Sequence, residues 1–108
     1  MLELKKELEK IKGSFSRISE IVYQTPVLSS ISINKALKAD ITFKAECLQE
    51  TGSFKLRGAS SAISLVSEEE KSRGVVAFSS GNHAQGIAYA VSYTHLRAHE
   101  TGRNLVCR

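Results

Sequence analysis

The chain has 108 residues, which suits one small domain. Its net charge of +4 comes with neither a basic patch nor interleaved aromatic residues, so a nucleic-acid partner is not predicted. It also has no apolar run of 18 residues and no apolar N-terminal core, so neither a membrane span nor a signal peptide is predicted.

The N-terminal region carries an apolar stripe with alternating spacings of four and three, which predicts helix. The pattern is interrupted near Gly13 and Ser14, and Ser14 is a good N-cap, so we predict two short helices here rather than one. Pro26 closes the region because proline lacks the amide that a helix needs. The stripe consists of Leu4, Leu8, Ile11, Phe15, Ile18 and Val22.

The remaining pattern predicts an α/β fold with the order helix-helix-β-α-β-α. Residues 41–47 alternate as a strand, a helix runs from Phe54, and Ser67 to Glu70 forms a capping box that opens a further turn ended by Gly74. Residues 75–78 form a continuous apolar run, typical of a parallel strand covered on both faces, and residues 84–90 are helical. Two strands joined by a helix predict a right-handed parallel crossover.

Lys55 lies where a helix should begin, after the turn residue Gly52 and the potential capping residue Ser53. Cations are disfavoured at a helix N-terminus by roughly 0.3–1 kcal/mol, and Arg57 adds a second one in the same turn. A surface lysine is the ordinary interpretation. The alternative is a functional amine, because a position that favours the neutral form favours attack on a carbonyl.

A second candidate site follows the apolar run of residues 75–78. A loop that leads into a helix N-terminus directs free backbone amides at one point, which suits a carboxylate. The ordinary interpretation is a strand-to-helix turn in which Asn82 caps the helix. The candidate residues are Ser79, Ser80, Gly81, Asn82 and His83.

These two segments together resemble the pyridoxal-phosphate-dependent serine/threonine dehydratase and serine racemase family. The resemblance covers roughly residues 14–90 and implies a piece of a parallel-sheet enzyme of fold type II, similar to the tryptophan synthase β chain. The matching segments are Thr25–Leu28, Phe43–Glu46, Leu48–Gln49, Gly52–Ala59 and Ser79–His83.

The resemblance implies a role for each candidate residue, with pyridoxal 5'-phosphate as cofactor. Lys55 would hold the cofactor through its amine and then act as base at the substrate α-carbon, and Phe54 would flank the cofactor ring. Asn82 would hydrogen-bond the ring hydroxyl, and residues 79–83 would hold the substrate carboxylate. Ser80 matches the position that protonates the opposite face of the α-carbon in serine racemases.

Residues 91–108 depart from the family pattern. Val91 to Thr101 resembles the translation of a transposase-type sequencing adapter, and Asn104 to Arg108 resembles its flow-cell end. We therefore expect residues 1–90 to be an N-terminal fragment of the catalytic domain and 91–108 to be a non-native tail with no packing role and no third strand. Removing the tail's three arginines and one glutamate lowers the net charge to +2.

One histidine, His83, and one cysteine, Cys47, remain in residues 1–90, so we predict neither a metal site nor an internal disulfide and expect a cytoplasmic protein.

The parent protein is expected to be a homo-oligomeric lyase that removes water and ammonia from L-serine, L-threonine or a related β-hydroxy amino acid such as 3-hydroxyaspartate. Serine racemase and a β-replacement enzyme similar to cysteine synthase are alternatives. A non-enzymatic anion-binding module is the alternative of another class. The 108-residue chain by itself is expected to be inactive, since no tandem glycines for the cofactor phosphate occur in it.

Overall fold

The computed structural model describes residues 1–94 and 98–100 and confirms an α/β chain. The elements are α1 (Leu2–Ile18), β1 (Val27–Ser29), α2 (Ile31–Leu37), β2 (Thr42–Lys44), a 3₁₀ helix (Glu46–Leu48), α3 (Lys55–Ile63), α4 (Glu68–Arg73), β3 (Val75–Ala77), α5 (Asn82–Tyr93) and β4 (Ala98–Glu100). Within the described residues, no helix combines the length and the apolar character needed to cross a membrane.

The first helix is continuous, so the predicted break at Gly13 and Ser14 is wrong. A glycine inside a helix costs only about 1 kcal/mol, which the surrounding strong helix formers offset. The Ser14 hydroxyl does not cap a new helix; it lies 2.6 Å from the Ser61 hydroxyl on α3. This contact helps to seat the last turns of α1 against α3.

The strands pair differently from the expected crossover. β2 pairs with β1 in antiparallel fashion, with Leu28 opposite Phe43. The predicted strand over residues 41–47 is shorter than expected because the chain turns into the 3₁₀ helix at Glu46. In the described part of the chain, β2 and β3 belong to separate two-stranded sheets. The second sheet is parallel, β3 with β4, with Val75 opposite Ala98.

Helix α3 occupies the centre of the fold. Its Leu56 side chain is fully buried with Ile18 and Val22 at the end of the α1 region. Its buried residues Ala59 and Ile63 pack against α5, where they contact residues 90 and 91. The Lys55 end of α3 therefore belongs to a helix that is packed on the core through Leu56, Ala59, Ser60 and Ile63.

The segment between α3 and β3 follows its sequence signals. Ser67 and Glu70 form the predicted capping box, with the Ser67 hydroxyl accepting from the Glu70 amide and the Glu70 carboxylate accepting from the Ser67 amide. Gly74 ends α4 with φ of +78°, a left-handed conformation that glycine adopts without a side-chain clash. Val76 of the following strand is 71% exposed, so the expectation of a strand covered on both faces is not met.

Two expectations for the C-terminal segment are wrong. Helix α5 does not stop at Ala90 but continues to Tyr93, and Val91 is 3% exposed within the core beside Ile63. The reason is helical periodicity, which places residues 84, 87 and 91 on one face. A further strand, Ala98–Glu100, pairs with β3, although no third strand was expected. The other residues of the tail, 95–97 and 101–108, lie outside the described part of the chain.

Candidate active site

Lys55 is the first residue of α3, as predicted from its position in the sequence. The chain reaches it through Gly52, whose φ of +69° turns the backbone in a conformation that favours glycine. The Lys55 ammonium lies 5.1 Å from the centroid of the Phe54 ring, a cation–π distance. Phe54 is 61% exposed, so it is not a core aromatic; its ring is available next to the amine.

The loop before Lys55 contains buried hydroxyls with unused hydrogen-bonding capacity. Ser53 does not cap α3, contrary to expectation: Phe54 is the N-cap residue, and no side chain bonds the first turn. Instead, the Oγ1 atom of Thr51 and the Oγ atom of Ser53 are buried and have no hydrogen-bond partner among the described residues. Buried polar atoms are normally paired. These unpaired hydroxyls, in the loop that leads to Lys55, fit a polar ligand such as pyridoxal phosphate that would supply the missing partners.

The second candidate segment connects β3 to α5. The Ser79 hydroxyl accepts a hydrogen bond from the Gly81 amide at 3.3 Å, which shapes the turn. Helix α5 begins at Asn82, so Asn82 is its first residue and not its cap. Asn82 and His83 are exposed, as is Ser80. The first amides of α5 lack intrahelical acceptors by construction, and this exposed end can receive an anionic group.

Packing of α3 against α5 brings the two segments together. A Cβ atom built on Gly86 of α5 would lie 3.2 Å from both the carbonyl carbon and the carbonyl oxygen of Lys55. Gly86 follows Asn82 by four residues, a rise of about 6 Å along the helix. The amine-bearing end of α3 therefore lies roughly one helical turn from the N-terminus of α5.

A polar network on the other side of α3 holds this helix to the N-terminal half of the chain. Arg57 donates from Nε to Glu46 Oε2 at 2.7 Å and from Nη2 to Glu46 Oε1 at 2.9 Å. Its Nη2 also donates to the Tyr23 carbonyl at 3.0 Å. The Gln49 side-chain amide makes two hydrogen bonds to the Tyr23 backbone: it accepts one from the N–H at 3.0 Å and donates one to the carbonyl at 2.7 Å.

The charge of Glu46 is strongly favoured in this network. Hydrogen bonds from Arg57, with a smaller contribution from Thr25, lower the pKa of Glu46 from its ordinary value of 4.5 to about 2, although partial burial acts in the opposite direction. Glu46, Gln49 and Arg57 lie in segments that match the family, but their sequence positions alone predicted no role for them. The signal available in the sequence was a carboxylate at position 46 and a guanidinium at position 57, eleven residues apart on either side of Lys55.

No group of three or more His, Cys, Asp or Glu side chains within residues 1–94 is arranged to hold a metal ion. The chemically useful groups of the candidate site include the Lys55 amine, the loop hydroxyls and the first amides of α5.

Comparison with known proteins identifies the class. The family described as pyridoxal-phosphate dependent enzyme matches residues 18–99, most of the chain. The chain belongs to this family, and its structural neighbours are enzymes of fold type II. The match extends past Ala90 into the segment interpreted as a tail, and the boundary at Ala90 remains a prediction.

Individual relatives include both racemases and lyases. The chain is 49% identical to the serine racemase of Dictyostelium discoideum and 51% identical to the L-threo-3-hydroxyaspartate ammonia-lyase of Saccharomyces cerevisiae, each over 77% of this chain and 26% of the relative. Among solved structures, the Dictyostelium serine racemase aligns with a TM-score of 0.83 and 43% identity over 88% of this chain and 31% of that one. The maize serine racemase aligns with a TM-score of 0.81 and 40% identity, over 88% and 30%. The chain thus spans about a quarter of the length of the curated relatives it matches.

Proposed function

We propose that the protein to which this chain corresponds is a pyridoxal-phosphate-dependent ammonia-lyase for L-threonine, L-serine or a related β-hydroxy amino acid. The α-proton and the β-hydroxyl leave as water, and hydrolysis releases the amino group as ammonia and leaves a 2-oxo acid. One observation carries the proposal: the Lys55 amine begins α3 next to a helix N-terminus, with Gly86 in contact with the Lys55 carbonyl. Relatives named as ammonia-lyases support it.

Each segment contributes a separate task. The cofactor, when bound, supplies an electron sink for the carbanion that forms at the α-carbon. Lys55 holds the cofactor and moves the α-proton, and the exposed face of Phe54 flanks the cofactor ring. Residues 79–83 and the first amides of α5 bind the substrate carboxylate, and Asn82 orients the cofactor through its ring hydroxyl.

Serine racemase is the second candidate, because both reactions begin with removal of the α-proton. Ser80 favours it: the hydroxyl is exposed on the loop that would face the substrate, where it can deliver a proton to the α-carbon from the other side. The similarity to a named serine racemase supports the same candidate. A β-replacement enzyme and a plain anion-binding module have no comparable observation in their favour.

We further propose that residues 1–90 are the N-terminal part of the catalytic domain and that 91–108 are non-native. Resequencing the locus from gene-specific primers should replace the codons of 91–108 with an extended reading frame that contains a glycine-rich segment. The same codons in independently amplified DNA would refute this proposal. We also propose that the parent protein is a cytoplasmic homo-oligomer with an amino-acid substrate, and that the 108-residue chain by itself is inactive.

The decisive experiment replaces Lys55 in the full-length protein. Lys55→Ala should abolish both keto-acid release from L-threonine or L-serine and the cofactor label that borohydride fixes on the Lys55 peptide. Lys12→Ala, an exposed lysine on α1, is the matched control and should retain both. A Lys55→Ala enzyme with normal turnover would refute the assignment.

A further inference from the structure

The contact between Gly86 and the Lys55 carbonyl has a geometry that a side chain at position 86 would disturb. A Cβ atom there would lie 3.2 Å from the carbonyl carbon and oxygen of Lys55 and 3.3 Å from the Ala59 Cβ. Gly86 is buried, and both helices belong to the packed centre of the fold. Even an alanine at this position therefore requires the helices to separate by a few tenths of an ångström.

Ala59 and Lys55 differ in how easily their backbones can be displaced. Ala59 lies one turn into α3, where helix hydrogen bonds and core packing resist movement. Lys55 is the first residue of the helix, follows the turn at Gly52, and has no side-chain cap at its N-terminus. A steric clash with a side chain at position 86 would therefore displace the Lys55 backbone more easily than Ala59. The amine moves with that backbone.

We propose that Gly86 is a positioning residue: by lacking a side chain, it lets α5 seat directly against the Lys55 carbonyl and so sets the position of the amine relative to the loop of residues 79–83. This inference rests on the proposed role of Lys55. It assigns a function to Gly86, which lies outside both the lysine segment and the loop of residues 79–83. Reaction geometry is sensitive to small displacements, since a 1 Å misplacement can lower a rate by about a hundredfold.

The first test is Gly86→Ala in the full-length protein, with cofactor dissociation measured by absorbance titration and turnover measured at saturating cofactor. Both should worsen by about tenfold, given a displacement of a few tenths of an ångström. Borohydride should still fix the cofactor on Lys55, so a failure of this proposal is distinguishable from a failure of the Lys55 assignment. Unchanged cofactor affinity and turnover would overturn the proposal.

Gly58→Ala is the matched control. Gly58 lies on the same helix, three residues after Lys55, and a Cβ atom there meets no atom within 4 Å. This variant should retain wild-type cofactor affinity. An equal loss in Gly58→Ala would show that any alanine in α3 or α5 has the same effect, and would overturn the specific role of Gly86.

Ala59→Gly separates positioning from stability. It removes a core methyl group from the same helix contact without pressing on Lys55, so it should lower the Tm and leave cofactor affinity unchanged. This variant also tests the proposal if Gly86→Ala does not fold. A loss of cofactor affinity in Ala59→Gly would show that affinity depends on helix packing in general, and would overturn the specific role of Gly86. If Ala59→Gly restored cofactor affinity in the Gly86→Ala background, the steric clash would be with the Ala59 side chain and not with the Lys55 backbone, and the proposal would be overturned as well.

Discussion

Arg57 and Glu46 form a two-pronged ion pair in which Nε and Nη2 of the guanidinium each meet a different carboxylate oxygen, at 2.7 and 2.9 Å. Their side chains are only 26% and 16% exposed. The pair joins the first turn of α3, two residues after Lys55, to the 3₁₀ helix that follows β2. It therefore offsets the cost of a second cation at this helix N-terminus, which the sequence left without visible compensation.

Arg57→Lys should destabilise the 108-residue chain by about 1–2 kcal/mol, because an ammonium cannot reproduce the planar two-point contact or reach the Tyr23 carbonyl at the same time. Urea unfolding followed by the helical circular dichroism signal measures this change. Arg73→Lys is the matched control: its bond to Glu69 is exposed, with side chains 70% and 88% accessible, and its loss should change the unfolding free energy little. Equal effects of the two substitutions would contradict the prediction.

Acid should remove the contribution of Glu46 in a defined range. Its pKa is lowered in the folded chain, chiefly by the hydrogen bonds from Arg57, from 4.5 to about 2. The stabilisation is therefore complete well above pH 4.5 and is lost as the pH falls through about 2, below which the carboxyl is protonated in both states. The difference in unfolding free energy between the wild type and Glu46→Gln, on the order of 2 kcal/mol at neutral pH, should narrow over this range. A difference that stays constant down to pH 2 would disagree with this account.

Ser80→Ala in the full-length protein should separate the two candidate reactions. If the hydroxyl delivers a proton to the α-carbon, racemisation of L-serine should fall by about a hundredfold while keto-acid release falls much less. Chiral chromatography of serine and a keto-acid assay on the same samples measure both rates. Ser79→Ala is a useful comparison, because the Ser79 hydroxyl accepts from the Gly81 amide and its loss should impair both reactions together. Parallel losses in Ser80→Ala would argue against a proton-donor role.

Val91→Ala should destabilise the 108-residue chain by about 1–3 kcal/mol, because the side chain is buried against Ile63 and Ala59 and its removal leaves a cavity. Val27→Ala is the control of the same type, with a valine that is 60% exposed, and it should change the unfolding free energy little. Urea midpoints of the two variants give the comparison. Indistinguishable midpoints would show that α5 packing ends at Ala90 after all.

The sequence by itself determined the class of the protein and named the candidate residues of the site, because both depend on short local patterns. The lysine segment around Lys55, the loop of residues 79–83 and the capping box at Ser67 can each be identified without knowing what lies nearby in space. The start of α3 at Lys55 and the stop at Gly74 follow from local backbone preferences, and the structure reproduces both.

Only the tertiary structure decided which of these segments meet. The pairing of β2 with β1, the burial of Val91, and the contact of Gly86 with the Lys55 carbonyl all join residues distant in sequence. Such contacts are set by how whole helices and strands pack, and a local pattern constrains them weakly. The ion pair of Arg57 with Glu46 shows the same division: the sequence supplied a misplaced cation, and the fold supplied the carboxylate that compensates it.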